Sequence, residues 1–399
     1  MRKARLKGLA AAAAAVLAAS ACSSSVGSSS SGTGFTPPSI ATQKSLGKGE
    51  GVVNIIAWAG YVEYGQDSAS VDWVTPFTKA TGCKVNLKVA GTSDEMVSLM
   101  KTGQYDTVSA SGDATLRLIA GGDVAPVNTA LVPNYADIYP ALKNQSWNSV
   151  NGVAYGIPHG RGANLLMYNT AKVTPAPTSW SAVFDANSPY AGHITAYDDA
   201  IYIADAALYL MKTKPSLGIK NPYALDSTQL AAAADLLKAQ KKVIGSYWSD
   251  YTKEQAAFDS GDDLLGTTWE VIQQAVAADG KVKTKAILPT EGATGWSDTW
   301  MISAKAAHPN CAYEWMNYIV SPKVNAQVAE YFGEAPANSK ACSYITDNAT
   351  FCQDYHAADE AWWKNVYYWN TPTKNCLDGR GAVCTDYAQW VAAWNTVKG

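Results

Sequence analysis

Aromatic rings and acids recur together where strands are expected to end. Trp58 follows the apolar run 52–57, with Tyr61 just beyond it. Trp269 and Glu270 follow the run 264–268, and Trp296-Ser297-Asp298 precedes the run 300–303. An indole face attracts positive charge and a carboxylate accepts ammonium hydrogen bonds, so such a set makes a receptor for an organic cation. Each tryptophan alone also fits plain core packing. Their shared place matters because ligands of parallel α/β sheets gather outside the carboxyl ends of the strands.

Other chemistry is poorly represented. G-x-S-x-G, S-x-x-K, H-E-x-x-H and a Walker loop are all missing. The histidines at 159, 193, 308 and 356 are widely separated. His159-Gly160-Arg161-Gly162 has the glycines of a phosphate cradle but lacks the Lys-Ser/Thr pair that completes one. The acidic pairs Asp198-Asp199 and Asp262-Asp263 would suit a carboxylate hydrolase only if they converged on one substrate atom, which adjacent residues seldom do.

The elements that must position these residues follow from the apolar spacing. A strand over 52–57, a helix over 71–80 ended by Gly82 and an alternating strand over 84–89 make β-α-β. Ser93 reads as the cap of a helix carrying Met96, Leu99 and Met100; a strand over 107–110 and a helix stopping at Gly121-Gly122 follow. The alternation resumes with a helix over 230–238, a strand over 264–268 and a helix over 271–278. Strands over 286–288 and 300–303 come next, then helices opened by Pro309 and by Ser321-Pro322. Such alternation implies a mostly parallel sheet. Beyond Cys342 the chain reads as aromatic-rich and helical, and Trp362, Trp363, Tyr367, Tyr368 and Trp369 fit core or lobe-to-lobe packing.

Arg2, Lys3, Arg5 and Lys7 precede an apolar run that ends at Ala21 and Cys22, which reads as an export signal over 1–21. Cys22 then opens a Ser/Gly/Thr/Pro-rich stretch that reads as a disordered linker over 22–50. The start resembles a lipoprotein leader with Cys22 as the acylated residue, although Ala19-Ser20-Ala21 also fits ordinary signal cleavage. No later apolar run is long enough to span a bilayer. The remaining roughly 350 residues exceed what one core usually organises, so two lobes are expected. With a formal charge of −3 and no basic runs, nucleic acid is an unsuitable partner.

Of the seven cysteines, six remain if Cys22 is acylated. Short spacings suggest Cys342 with Cys352 and Cys376 with Cys384, leaving Cys83 for Cys311, though six cysteines allow fifteen pairings. Neither a C-x2-C pair nor a histidine cluster supports zinc, so no metal or cofactor is expected.

The segments 53–62, 105–111, 155–158 through 168–169, Ser179-Trp180, Trp296-Ser297-Asp298 and 312–338 resemble the spermidine/putrescine-binding proteins of bacterial ABC importers. The resemblance implies an α/β, type II-like clamshell of two lobes with mixed, mostly parallel sheets and hinge crossovers, closing on its ligand. It implies lobes at 51–163 with 298–337 and at 164–297 with 338–399, which leaves each expected disulfide within one lobe. It implies no enzymatic activity, a small amine-bearing ligand, an ABC permease as partner, a location outside the cytoplasmic membrane and a monomeric protein. Two other outcomes carry their own discriminators: an exported hydrolase needs a convergent acid/base pair, and a ligand-sensing surface co-receptor needs a sensor partner.

By the same resemblance Trp58, Tyr61, Ser111, Asp199, Trp269, Trp296 and Asp298 keep site positions. An acid between the first Trp and Tyr is replaced by Gly60 and another acid by Tyr202. A tyrosine becomes Glu334, a site aromatic becomes Asp113, and Arg161 stands where an apolar aromatic is common. If Arg161 faces the cleft it would hold a carboxylate and suit an amino-acid-like zwitterion. Otherwise it is expected to pair with Asp113 or Glu334.

Overall fold

The computed structural model describes residues 35–399 apart from Asp67. Its strands gather into three principal sheets, and their membership shows how the chain is divided. The first runs in the order Lys84–Val89, Val52–Ala57, Thr107–Ala110, Thr299–Ser303, Val124–Ala125, with Ile157–Pro158 also paired to Thr299–Ser303. Its first three strands are parallel, as the β-α-β spacing predicts, and Thr299–Ser303 enters antiparallel from far along the chain. The second sheet runs Ile244–Trp248, Ile194–Tyr197, Leu265–Thr268, Leu165–Asn169, Thr284–Ile287. It too has a parallel half and an antiparallel half.

The third sheet is built where the chain passes between the other two. Gly160–Ala163 leaves the first lobe and pairs antiparallel with Ala293–Trp296, which returns, and with Ala335–Pro336, which leaves again. Val366–Tyr368 adds a parallel strand on the far side of Ala293–Trp296. The chain is therefore a two-lobed α/β clamshell with its crossovers hydrogen-bonded into one sheet.

Sequence and packing explain that sheet closely. Gly160 and Gly162 lie on one face, and a Cβ at either would collide with the Glu334 carboxylate or the Trp296 indole respectively. Arg161 and Ala163 lie on the other face. The two glycines thus make room for bulky side chains at the crossover.

Two expectations need correction. The linker reading of 22–50 fails over its described part, because 35–50 is laid along the first lobe. Ile40 packs on the lobe's core, Gln43 O accepts from Asn128 Nδ2, and the Glu50 carboxylate accepts from Asn310 N at 3.0 Å and Cys311 N at 2.9 Å. Those amides open the helix Pro309–Ile319, so Glu50 satisfies donors that the helix cannot. The export signal and Cys22 lie outside the described residues. The helix Ser93–Lys101 is capped by Thr92, whose side chain accepts from Glu95 N; Ser93 Oγ instead donates to Asp113.

The expected disulfides Cys83–Cys311, Cys342–Cys352 and Cys376–Cys384 are all present. Among the described residues no helix is long and apolar enough to cross a membrane. One buried apolar cluster runs from Ile56, Val108 and Leu116 to Leu166, Ile194 and Leu265, so the lobes are closed upon each other.

Candidate functional site

Parallel strands of both sheets end at the seam between the lobes. Trp58 follows Val52–Ala57, Ser111 follows Thr107–Ala110, Asp199 lies two residues past Ile194–Tyr197, and Trp269 follows Leu265–Thr268. Asp298 precedes Thr299–Ser303, whose antiparallel entry brings that end to the same edge.

Asp298 is the most elaborately held acid. Ser111 Oγ donates to its Oδ1 at 2.5 Å, and Tyr61 Oη lies 2.8 Å from its Oδ2. The same Tyr61 hydroxyl lies 3.0 Å from Glu334 Oε2. Burial pushes the Asp298 carboxyl up to about 6 against those hydrogen bonds, and burial together with Asp298 raises Glu334 well above the usual range. His159 packs on Tyr61 with ring centroids 4.3 Å apart and the ring planes tilted by 60°, and its Nε2 lies 3.4 Å from Glu334 Oε1. Buried entirely, His159 is pushed down to about 3 and stays neutral.

A second pair of acids faces across the seam. Asp113, on the helix Gly112–Gly121, is pushed up to about 7 by burial and then by Asp199. Asp199 is raised to about 6, chiefly by burial. Arg117 opposes both shifts, but its guanidinium bonds Asp94 at 2.6 Å and lies 4.4 Å over the Tyr387 ring.

Between the acid pairs runs a chain of rings. Trp369 stacks on Tyr197 at 5.9 Å; Tyr197 meets Trp269 at 5.7 Å, and Trp269 meets Trp296 at 6.3 Å. Trp296 meets Phe332 at 5.9 Å, and Phe332 meets Tyr61 at 4.5 Å. Trp269 Nε1 donates to Asn164 Oδ1 at 2.8 Å, and Asn164 is tied through Thr294 to Asp205, which fixes the indole from behind. Trp58 packs half-buried against the cores of both clusters, its Nε1 without a hydrogen-bond partner among the described residues. Gly60 has φ near 91°, and the Phe332 edge would stand 3.0 Å from a Cβ there, so the ring occupies the space an acid would need.

Nine of the expected site residues thus meet at the seam: Trp58, Tyr61, Ser111, Asp113, Asp199, Trp269, Trp296, Asp298 and Glu334. Two do not. Arg161 is fully buried on the opposite face of the crossover sheet, 2.7 Å from Glu360 Oε1 and 3.0 Å from Ala357 O, with Trp363 4.4 Å beneath it. It pairs with neither Asp113 nor Glu334, because the alternation of Gly160–Ala163 points it away from both. Tyr202 is buried inside the second lobe, its hydroxyl accepting from Gln240 Nε2 at 2.8 Å and its ring against Phe184 and Trp394.

Sequence reasoning passed over Tyr197, Trp369 and His159 as site residues. Tyr197 ends a strand too short to be marked by alternation. Trp369 belongs to the aromatic cluster read as core or lobe-to-lobe packing, and it is buried among the core residues shared by the lobes while its ring also stacks on Tyr197. Groups of cysteine and carboxylate close enough to share a metal occur among the described residues at Cys83/Cys311/Glu314 and Cys376/Asp378/Cys384, and in each the cysteines are already joined.

Comparison with known proteins agrees with this geometry. A family model described as bacterial extracellular solute-binding protein matches residues 72–359. The spermidine/putrescine-binding periplasmic protein of Escherichia coli K12 is 26% identical over 297 residues, covering 72% of this chain and 81% of the relative. Among solved structures, the spermidine/putrescine ABC transporter substrate-binding protein of Streptococcus pneumoniae superposes with a TM-score of 0.67 at 20% identity, covering 87% of this chain and 97% of that one. A putative spermidine/putrescine ABC transporter protein of Listeria monocytogenes gives 0.70 at 19% identity, with 88% and 99% covered.

Proposed function

The chain belongs to the bacterial extracellular solute-binding proteins, and from that premise we propose that it captures a polyamine-class cation between its lobes and delivers it to an ABC permease. One observation carries the reading: a run of rings from Trp369 to Tyr61 with acids at both ends, Asp113 and Asp199 at one, Asp298 at the other. Alkyl chains pack on aromatic faces while terminal ammonium groups take carboxylate hydrogen bonds, and closure removes the water that would weaken both. The curated relative named for spermidine and putrescine supports the same class. The amino-acid-like alternative loses its support, because Arg161 is held by Glu360.

On this reading the lobes are 51–163 with 298–337 and 164–297 with 338–399, and the protein acts as a monomer. It works outside the cytoplasmic membrane, tethered through acylated Cys22; mass spectrometry of the mature N-terminus tests the lipid. Titration calorimetry with putrescine, cadaverine, spermidine and a zwitterionic amino acid tests the ligand class. Heat is expected from the polyamines and none from the zwitterion; silence with all the amines would defeat the proposal. Asp298→Asn should weaken binding by about tenfold or more, the cost of removing one partner from a desolvated charge pair. An undiminished affinity would remove Asp298 from the site.

A further inference from the structure

We propose that Glu334 stands un-ionised beneath the cleft and holds the Tyr61 hydroxyl onto Asp298, as a positioning residue and not a carrier of ligand charge. The inference rests on the cation-binding reading and deepens it. Its first ground is a count of protons. Tyr61 Oη carries one hydrogen, yet it lies 2.8 Å from a carboxylate oxygen of Asp298 and 3.0 Å from one of Glu334. Ionised carboxylates only accept, so both contacts are hydrogen bonds only if one acid keeps a proton and donates it to the phenol oxygen.

The surroundings decide which acid that is. Asp298 takes a further hydrogen bond from Ser111 Oγ at 2.5 Å, and donors of this kind stabilise the anion. Glu334 Oε1 has no hydrogen-bond partner among the described residues, and His159 Nε2 stands 3.4 Å from it. Glu334 is completely buried, lodged over the bare backbone of Gly160, and lies against the Tyr61 hydroxyl and a neutral His159 imidazole that is itself packed on the Tyr61 and Trp300 rings. A charge there would be uncompensated. The proton therefore sits on Glu334, Tyr61 donates to Asp298, and Asp298 alone presents negative charge at this end. The direction of the pKa shifts agrees. Glu334 also explains His159: the ring wedges Tyr61 from one side, while its backbone N donates to Asp298 O and its backbone O accepts from Asn325 Nδ2 and Ala337 N.

The test uses the mature protein with putrescine as the calorimetric probe. Glu334→Leu removes the donor and should weaken binding about tenfold. Glu334→Gln keeps a donor without a charge and should recover affinity to within about threefold of wild type. At neutral pH the infrared difference spectrum of wild type against Glu334→Gln should show the carbonyl stretch of an un-ionised carboxylic acid, a signal that merely structural damage would not produce. Glu334→Gln as weak as Asp298→Asn, Glu334→Leu as tight as wild type, or a difference spectrum without that band would each overturn the proposal. If the wild-type protein bound no amine, the cation reading would fail, while the infrared band would still decide the protonation of Glu334.

Discussion

Arg161 shows how far a residue's type can mislead about its task. A guanidinium beside a run of acids invites a role in holding a ligand carboxylate, but one residue of strand alternation sends it to the opposite face, onto Glu360, the Ala357 carbonyl and the Trp363 ring. Its work there is to fasten the 357–368 segment to the crossover strand. Glu360 is about 40% exposed, so removing Arg161 costs less than breaking a fully buried pair. Arg161→Met keeps most of the stem and should destabilise the protein by about 2 kcal/mol, seen as a lower Tm in calorimetry. Affinity for putrescine should stay within about threefold, since the residue touches nothing at the seam. A large loss of affinity with an unchanged Tm would return Arg161 to the site.

At the scale of elements, the closed lobes meet through backbone as well as side chains. The helix Gly112–Gly121 begins at a glycine whose missing Cβ would collide with the Trp369 carbonyl. Thr371 Oγ1 donates to the Asp113 carbonyl at 2.8 Å, lies 3.0 Å from the Gly112 carbonyl oxygen and accepts from Leu116 N, clasping the same helix turn. Gly112→Ala should therefore hold the lobes apart. Overpacking costs about 1–3 kcal/mol, so putrescine affinity should fall about tenfold while the ligand-free protein keeps its Tm within a degree or two. Equal affinity for the variant would show that this contact is not formed in the bound protein. Sequence reading captured the longer strands of the first sheet, Val52–Ala57, Lys84–Val89, Thr107–Ala110 and Thr299–Ser303, but not its two-residue strands Val124–Ala125 and Ile157–Pro158, which are too short to show a pattern. It missed Leu165–Asn169, Ile194–Tyr197 and Ile244–Trp248: two of the three are almost wholly buried on both faces and so show no alternation, and all are short. The same physics hid Tyr197 and Trp369. A strand-end position identifies a site aromatic only when the strand is visible, and Trp369 reaches the seam through a crossover sheet that pairs Ala293 with Val366 and Gly295 with Ala163, residues far apart in the chain. The run of acids and indoles at strand ends that were visible supplied Trp58, Trp269, Trp296 and Asp298 directly.

For the whole molecule, the acids that attract a cation also govern closure. Asp113 sits on the first lobe and Asp199 on the second, and the closed form raises them to about 7 and about 6, with Asp298 raised to about 6 at the other end of the ring run. Burial is the leading cause in each, and Asp113 feels Asp199 as well. In an open molecule these groups face water and ionise near the ordinary range of about 4. The closed form therefore binds more protons than the open one between roughly pH 4 and 7, and by linkage the ligand-free protein closes as pH falls through that window and opens as it rises. Arg117 opposes the shifts of Asp113 and Asp199 but is shared with Asp94, so it does not replace an external cation. An ammonium group meets the same need at neutral pH, which couples capture to closure without a separate switch. Small-angle X-ray scattering of the ligand-free protein should give a smaller radius of gyration at pH 5 than at pH 8, and the putrescine-saturated protein should be compact at both. Replacing Asp113 and Asp199 together by Asn should remove most of that difference and leave the empty protein compact at pH 8. A radius independent of pH in the wild type, or one that grows on acidification, would separate the acids from the closing motion.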